Sequence, residues 1–384
     1  MKIDFGTSKR IIFGKGELIN FPKYSEGFGK RCFTIHGKNP FYCKPFFDIL
    51  ENLHLEITFF TVNKEPDIEL INAAVSLARK NKCDFVVGIG GGAVLDTGKA
   101  VAAMLTNKGD LLDYLEVVGK GLPLQSPSKP YIAIPTTAGT GSEATRNAVI
   151  DVPDKNVKVS MRSPFMLPSI ALVDPDLTLL LPPNITASTG MDAFVQVLEP
   201  YVCKNPNPMV DMFCRDALPR VSQNLLQAYR DGANIEAREN LAWVSLLGGL
   251  SLANASLGAV HGFAGPIGGM FHVPHGSICA ALLPNVMRVN IENLERNHPN
   301  GSTINRYKEI AFWITGDPKA KVYDGLDFVE NLCLELKIPK LKQMGIIKSD
   351  FSKIVSKSKN SSSMKGNPVN LSDEELTRIL ELSF

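Results

Sequence analysis

Three of the chain's six histidines fall within residues 261–275, HGFAGPIGGMFHVPH. Neutral imidazole is the commonest protein ligand for a borderline divalent ion. His261 and His275 are separated by glycines and prolines, a break that suggests ligands carried on two consecutive elements and not on one helix face. Glycine also lets a backbone or a flat substrate approach with no Cβ in the way. Taken alone, the stretch reads equally well as a glycine-rich helix packed tightly, with incidental histidines.

A second group is Asp192, Gln196 and Glu199, at i, i+4 and i+7, which one helix face presents together. A carboxylate and its i+4 partner on such a face can both reach one cation. The bland alternative is a polar stripe on a surface helix. Phe194, Val195, Val197 and Leu198 leave little polar surface beside them, which favours a buried site.

Two turns carry the remaining polar chemistry. Gly88-Ile89-Gly90-Gly91-Gly92-Ala93 follows an apolar run and opens a helix holding Asp96 and Lys99. Consecutive glycines let backbone approach a pyrophosphate, and a helix N-terminus offers N–H groups and partial positive charge. The strand-turn-helix context supports this, although the turn lies well past the first strand, unlike the usual dinucleotide fingerprint. The alternative is a tight helix–sheet contact that needs glycine. Residues 135–143, PTTAGTGSE, cluster hydroxyls and glycines that suit ribose and phosphate oxygens. Thr140-x-x-Glu143 also reads as a capping box starting a helix.

The elements that must position these groups follow from hydrophobic pattern. Residues 31–35, 55–62, 85–89 and 131–134 are short β-rich or continuous apolar runs, and 67–81 has helical spacing. Strands without polar alternation, separated by helices, predict a parallel sheet covered on both faces, with ligands at the strands' carboxyl ends. The start partly alternates like a strand. Residues 151–183, rich in proline and short apolar runs, read as the end of this domain and a crossover. Beyond 184 helix signals dominate, over 191–201, 209–226, 236–252, 261–269, 278–293, 306–312 and 325–336. Ser372 reads as the cap of a terminal helix, and 359–368 as a loop. The domains expected are 1–183, α/β, and 184–384, all-α.

With 384 residues the chain has ample length for a buried core. A net charge of +2 gives no electrostatic case for nucleic acid or an anionic membrane, and no apolar run is long enough to span a bilayer. The lysine-rich run 340–357 reads as a solvated helix face. Seven scattered cysteines without a CxxC read as reduced, mostly buried thiols in a cytoplasmic protein.

Six stretches, in order along most of the chain, resemble the iron-containing (group III) alcohol dehydrogenase family: GGGAVLDTGKA (90–100), PTTAGTGSEAT (135–145), DPDLTLLLPP (174–183), TGMDAFVQVLEPYV (189–202), HGFAGPIGGMFHVPHG (261–276) and SSMKGNPVNL (362–371). The resemblance implies a Rossmann-like α/β domain followed by an all-α domain, the dehydroquinate synthase-like fold, with the active site in the cleft. It implies that Gly90, Gly91, Gly92, Asp96, Thr136, Thr137 and Thr140 contact a nicotinamide dinucleotide, with Lys158 nearby. It places a metal, Fe2+ or Zn2+, on Asp192, Gln196, His261 and His275. A homodimer is plausible on the same grounds.

The chain departs from the family at two places. Gln196 stands where the family usually has histidine, and a neutral amide oxygen is a weaker ligand that suits hard cations. Gly265 stands where many members carry a further histidine that handles protons; His272 is the candidate replacement.

The expected activity is reversible hydride transfer between NAD(P) and a small alcohol or aldehyde at a divalent metal. Phe165, Phe263 and Phe271 are the expected lining of a modestly apolar pocket. After the run 31–35 comes His36-Gly37-Lys38-Asn39. No acid stands there to bind ribose hydroxyls and repel a 2′-phosphate, and Gly37 and Lys38 leave room and positive charge, which favours NADP. The rivals are a polyol-type dehydrogenase, a metal-independent reductase of the maleylacetate reductase type, a dehydroquinate synthase-like lyase, and a cofactor-binding protein that has lost catalysis. The lyase lacks the expected basic cluster for a phosphorylated acid.

Overall fold

The structure, a computed structural model, describes residues 3–384. It divides into two compact units, Phe5–Leu180 and Leu181–Phe384, the second also including Ile3 and Asp4.

The first unit carries eight strands and four α-helices among the described residues: β1 (Arg10–Phe13), α1 (Phe21–Ser25), β2 (Arg31–Gly37), α2 (Lys44–Leu50), β3 (Glu56–Val62), α3 (Ile68–Lys80), β4 (Phe85–Gly90), α4 (Gly92–Met104), β5 (Tyr131–Pro135), β6 (Asn147–Val152), β7 (Val157–Arg162) and β8 (Ile170–Val173). Six of these strands form one sheet in the order β1-β8-β5-β4-β2-β3, and every pairing in it is parallel. The expected parallel sheet is therefore present, and the reason lies in the side chains. Phe33, Ile35, Val86, Tyr131 and Ala133 enter one core cluster with α3 and α4. Their neighbours Cys32, Phe85, Val87, Ile89, Ile132 and Ile134 enter another with α1 and α2. Alternate residues of each strand feed opposite cores, so the central strands are apolar throughout and need helices on both faces.

Residues 151–183 differ from the crossover reading. They begin within an antiparallel hairpin of β6 and β7, whose connection is turned by Asn156 in a left-handed conformation, φ 49°. They continue through β8, which enters the main sheet between β1 and β5. Thr140 and Glu143 start no α-helix. Gly141, at φ 58°, breaks helical entry, and only the short 3-10 turn Ser142–Ala144 follows.

The second unit holds nine α-helices among the described residues: α5 (Pro183–Val202), α6 (Pro208–Arg230), α7 (Ile235–Asn254), α8 (Ala259–Phe271), α9 (His275–Asn297), α10 (Ser302–Thr315), α11 (Val322–Glu335), α12 (Phe351–Ser358) and α13 (Asp373–Leu382). Ser372 caps α13 in a reciprocal box with Glu375, as its sequence spacing predicts. Helix α5 is buried along most of its length and packs against α6, α7 and α9. Its start is pinned by the buried Arg238 of α7, which donates to Thr186 Oγ1 at 2.8 Å and to the Leu181 carbonyl at 3.2 Å. No single helix among the described residues is long and apolar enough to cross a membrane.

Candidate metal centre and nucleotide turns

Asp192 projects from the middle of α5, His261 from the first turn of α8, and His275 opens α9. The two histidines thus sit on two consecutive helices; the intervening glycines and Pro266 remain inside α8, and the break falls at the left-handed His272 and at Pro274. Two local devices fix their placement. The buried Asn367 side chain accepts from the Ala259 amide at 3.1 Å at the start of α8 and is itself held by Asn290. This gives the 362–371 stretch a structural role. At the start of α9, a Cβ on Gly276 would lie 2.4 Å from the Ser188 carbonyl oxygen of α5. Only glycine lets the first turn of α9 come this close, and that approach carries His275 to Asp192.

Asp192 Oδ1 is 3.7 Å from His261 Nε2 and 3.6 Å from His275 Nε2. Asp192 and His261 are buried, whereas the His275 side chain keeps 43 % of its surface. Asp192 Oδ1, His261 Nε2 and Gln196 Oε1 are all buried without a hydrogen-bond partner. Buried polar atoms are normally paired, so several orphaned lone pairs along one helix face and on the imidazole opposite it are what a cation-binding site presents. Gln196 lies one turn from Asp192 and packs against Gly248 of α7, whose Cβ position is 3.2 Å from its Oε1.

The third member of the α5 face, Glu199, turns to His261. Glu199 Oε2 accepts from His261 Nδ1 at 2.7 Å, and Glu199 Oε1 accepts from the Val260 amide at 2.7 Å. A carboxylate behind a histidine fixes the tautomer, leaving Nε2 as the bare ligand atom, and raises its basicity. Burial pulls the His261 pKa down; the Glu199 hydrogen bond and the charges of Glu199 and Asp192 outweigh it and lift the pKa above the ordinary histidine value.

One further residue went unremarked in the sequence. Cys279 lies one helical turn after His275 on α9, and its Sγ lies within 4.8 Å of the ligand atoms of Asp192, His261 and His275. Its i+4 spacing from His275 was the available signal. All seven cysteines are unbridged, and Cys279 was indistinguishable by composition from the core thiols.

His272 forms the C-cap of α8 in a left-handed conformation, φ 53°, with its amide donating to the Gly268 carbonyl, and it is exposed. A Cβ at Gly265 would meet nothing within 4 Å, so the position faces open space. Phe263 is wholly buried in the helical core, Phe271 is partly buried, and Phe165 is exposed in the first unit.

The sheet unit brings its two polar turns together. β4 and β5 are neighbours, with Gly90 opposite Pro135, and the Thr136 amide donates to the Gly90 carbonyl at 3.0 Å. A Cβ on Gly92 would sit 2.8 Å from Thr140 Cγ2, and one on Gly91 3.4 Å from Thr137 Cγ2. The glycine turn and the threonine turn therefore share one carboxyl edge of the sheet, at the N-terminus of α4. Asp96, one turn into α4, is committed to holding that edge. It accepts from Ser142 Oγ at 2.6 Å and from the Val149 amide at 2.9 Å, and pairs with the buried Lys99 at 3.0 Å. Lys158 lies on β7 and pairs with Glu65 at 2.9 Å. Gly37 ends β2, with no atom closer to its Cβ position than Val94 Cγ2 at 4.0 Å.

Two family descriptions match along nearly the whole chain: iron-containing alcohol dehydrogenase over residues 8–175, and the C-terminal part of the Fe-containing alcohol dehydrogenase family over residues 186–384. The chain belongs to the iron-containing alcohol dehydrogenase family. Among its relatives, alcohol dehydrogenase 4 of Schizosaccharomyces pombe is 35% identical over 83% of this chain and 73% of its own length. The 1,3-propanediol dehydrogenase of Klebsiella pneumoniae is 33% identical over 87% and 85%. A crystal structure of a 1,3-propanediol oxidoreductase aligns with a TM-score of 0.92 at 28% identity, covering 100% of both chains. As an iron-containing alcohol dehydrogenase, the protein is an oxidoreductase acting on CH–OH groups, and family membership implies NAD(P) and a divalent metal, iron.

Proposed function

We propose that the protein interconverts a small alcohol and its aldehyde or ketone with NADP as the preferred cofactor, using a divalent ion, iron or zinc, held by Asp192, His261 and His275 with Gln196 beside them. The observation that carries this is the trio of buried, unpartnered ligand atoms, Asp192 Oδ1, Gln196 Oε1 and His261 Nε2, with the two imidazoles standing around Asp192. The donor set of a carboxylate, two imidazoles and softer or harder neighbours fits a borderline divalent ion. When bound, such an ion supplies Lewis-acid polarisation of the substrate oxygen, and the nicotinamide supplies hydride chemistry.

The chain's own residues do the rest. Glu199 keeps His261 in the tautomer that presents Nε2. Gly276 and Asn367 fix where α8 and α9 begin. The backbone of Gly90, Gly91 and Gly92 and the hydroxyls of Thr136, Thr137 and Thr140 suit the cofactor's phosphates and ribose, with Asp96 holding their edge together. Lys158 adds positive charge on the same unit, and Gly37 leaves space at the end of β2. His272, exposed and three residues before His275, is the proposed proton carrier to solvent.

The test is metal analysis of purified protein, followed by nicotinamide absorbance assays with alcohols and aldehydes before and after chelation. Activity lost on chelation and restored by added metal is expected. Turnover that survives chelation, or survives in His261→Ala, would overturn the metal reading and favour the metal-independent reductase.

A further inference from the structure

We infer that the fourth protein ligand of the metal is the thiolate of Cys279 and not the amide oxygen of Gln196. The inference rests on the metal reading above and deepens it.

The geometry is that of a shared ion. Cys279 Sγ is 3.5 Å from His275 Nε2. Sulfur and nitrogen ligands at about 2.3 and about 2.0 Å from one tetrahedral ion lie about 3.5 Å apart. The carboxylate-to-imidazole separations of 3.6 and 3.7 Å are of the same size. The four ligand atoms of Asp192, His261, His275 and Cys279 all fall within 4.8 Å of one another. Cys279 is wholly buried, and the i, i+4 spacing from His275 sets its thiol on the His275 face of α9.

The chemistry agrees. Gln196 replaces the usual family ligand with a neutral oxygen donor, which suits hard ions. A thiolate is a far stronger donor for zinc and other borderline ions. The thiol lies buried among Asp192 and two imidazoles, and a cation bound there would favour its thiolate form. On binding, the S–H bond breaks heterolytically, the proton leaves to solvent, and the sulfur lone pair is donated to the ion, with no change in oxidation state.

The test is cobalt. Metal-free protein is titrated with Co2+ while the near-ultraviolet sulfur-to-cobalt charge-transfer band and the visible ligand-field bands are followed, in wild type, Cys279→Ser and Gln196→Ala. One Co2+ per chain with a thiolate band is expected in wild type and in Gln196→Ala. Cys279→Ser is expected to bind Co2+ without the band and about tenfold or more weakly. Stoichiometric Co2+ with no thiolate band in wild type, or a band that persists in Cys279→Ser, would overturn the assignment and leave the metal reading standing. No Co2+ binding at all would overturn both. Cobalt-edge X-ray absorption on the wild type needs no variant: a sulfur scatterer at about 2.3 Å is expected, and a shell of nitrogen and oxygen alone would refute it.

Discussion

Glu199 and His261 form one buried unit: the carboxylate accepts a hydrogen bond from His261 Nδ1 at 2.7 Å and, through its other oxygen, one from the Val260 amide one residue earlier, also at 2.7 Å. The same carboxylate therefore orients the imidazole and anchors the helix turn that carries it. Glu199→Gln keeps an acceptor but loses the charge that raises the basicity of Nε2. Metal affinity is expected to fall about 10–100-fold, read by competition with a chelating dye, with the far-ultraviolet circular dichroism unchanged. Unaltered affinity would show that Glu199 is only a structural anchor.

The meeting of Gly92 with Thr140 gives a second prediction. In Gly92→Ala the new methyl would lie 2.8 Å from Thr140 Cγ2. Overpacking of this kind costs about 1–3 kcal/mol and shifts the local backbone. Cofactor affinity, measured by reduced-nicotinamide fluorescence, is expected to fall about tenfold or more. Thr140→Ser removes that methyl while keeping the hydroxyl, so the double variant should recover much of the loss, a non-additivity that marks direct contact. Strict additivity would mean the two turns do not constrain each other.

Much of this was legible in the sequence, for reasons that can be named. The runs 85–89 and 131–134 read as central strands because both faces of that sheet are buried, so polar alternation vanishes. His261 and His275 read as ligands on separate elements because glycines and prolines lie between them, although Gly262, Gly265, Pro266, Gly268 and Gly269 stay inside α8 and the break itself falls at His272–Pro274. The hairpin of β6 and β7 was legible in principle, since Val157, Val159 and Met161 alternate with Lys158, Ser160 and Arg162, yet the prolines around it suggested a crossover. The helix expected after Thr140 fails on one dihedral, the positive φ of Gly141, which no spacing rule reveals. Glu199 was visible on the right face of α5, but its role depends on where α8 lies, a tertiary fact. Cys279 was hidden because buried sulfur is ordinary in a core and becomes notable only beside Asp192 and two imidazoles.

Glu143 carries a prediction about pH. Wholly buried beside Lys99, its carboxyl is pushed up by desolvation, against a backbone hydrogen bond and the Lys99 charge, from 4.5 to about 7. Between these values the folded protein holds a proton that the unfolded chain has released. Stability from this group is therefore fully present below about pH 4.5 and falls as pH rises to about 7, by roughly 3 kcal/mol, with no further loss above. Glu143→Gln mimics the protonated form. Denaturant midpoints at about pH 5 and about pH 8 should then differ less in the variant than in wild type. Equal pH slopes would show that Glu143 is ionised in the folded protein throughout.

His272 can be tested without disturbing the cap it forms. Asparagine tolerates the left-handed backbone that His272 adopts at φ 53°, so His272→Asn should preserve α8 while removing the imidazole. If His272 carries the proton to solvent, kcat falls about tenfold or more and one limb of its pH profile disappears, with KM little changed. A uniform loss with the profile intact would confine His272 to capping.

The proposed preference for NADP rests on the end of β2. Lys38 is exposed there, Asn39 caps the next turn through its side chain, accepting from Phe41 at 3.1 Å, and residues 36–39 contain no carboxylate. If the adenosine ribose lies at this strand end, that stretch offers a 2′-phosphate the Lys38 cation and offers NAD no carboxylate for its ribose hydroxyls. Wild type should show a higher kcat/KM with NADPH than with NADH, and the preference should shrink with added salt, because an exposed Lys38 is screened. Lys38→Glu should reverse the order by placing a carboxylate where the phosphate would bind. A wild-type preference for NADH that is indifferent to salt would show that another part of the chain selects the cofactor.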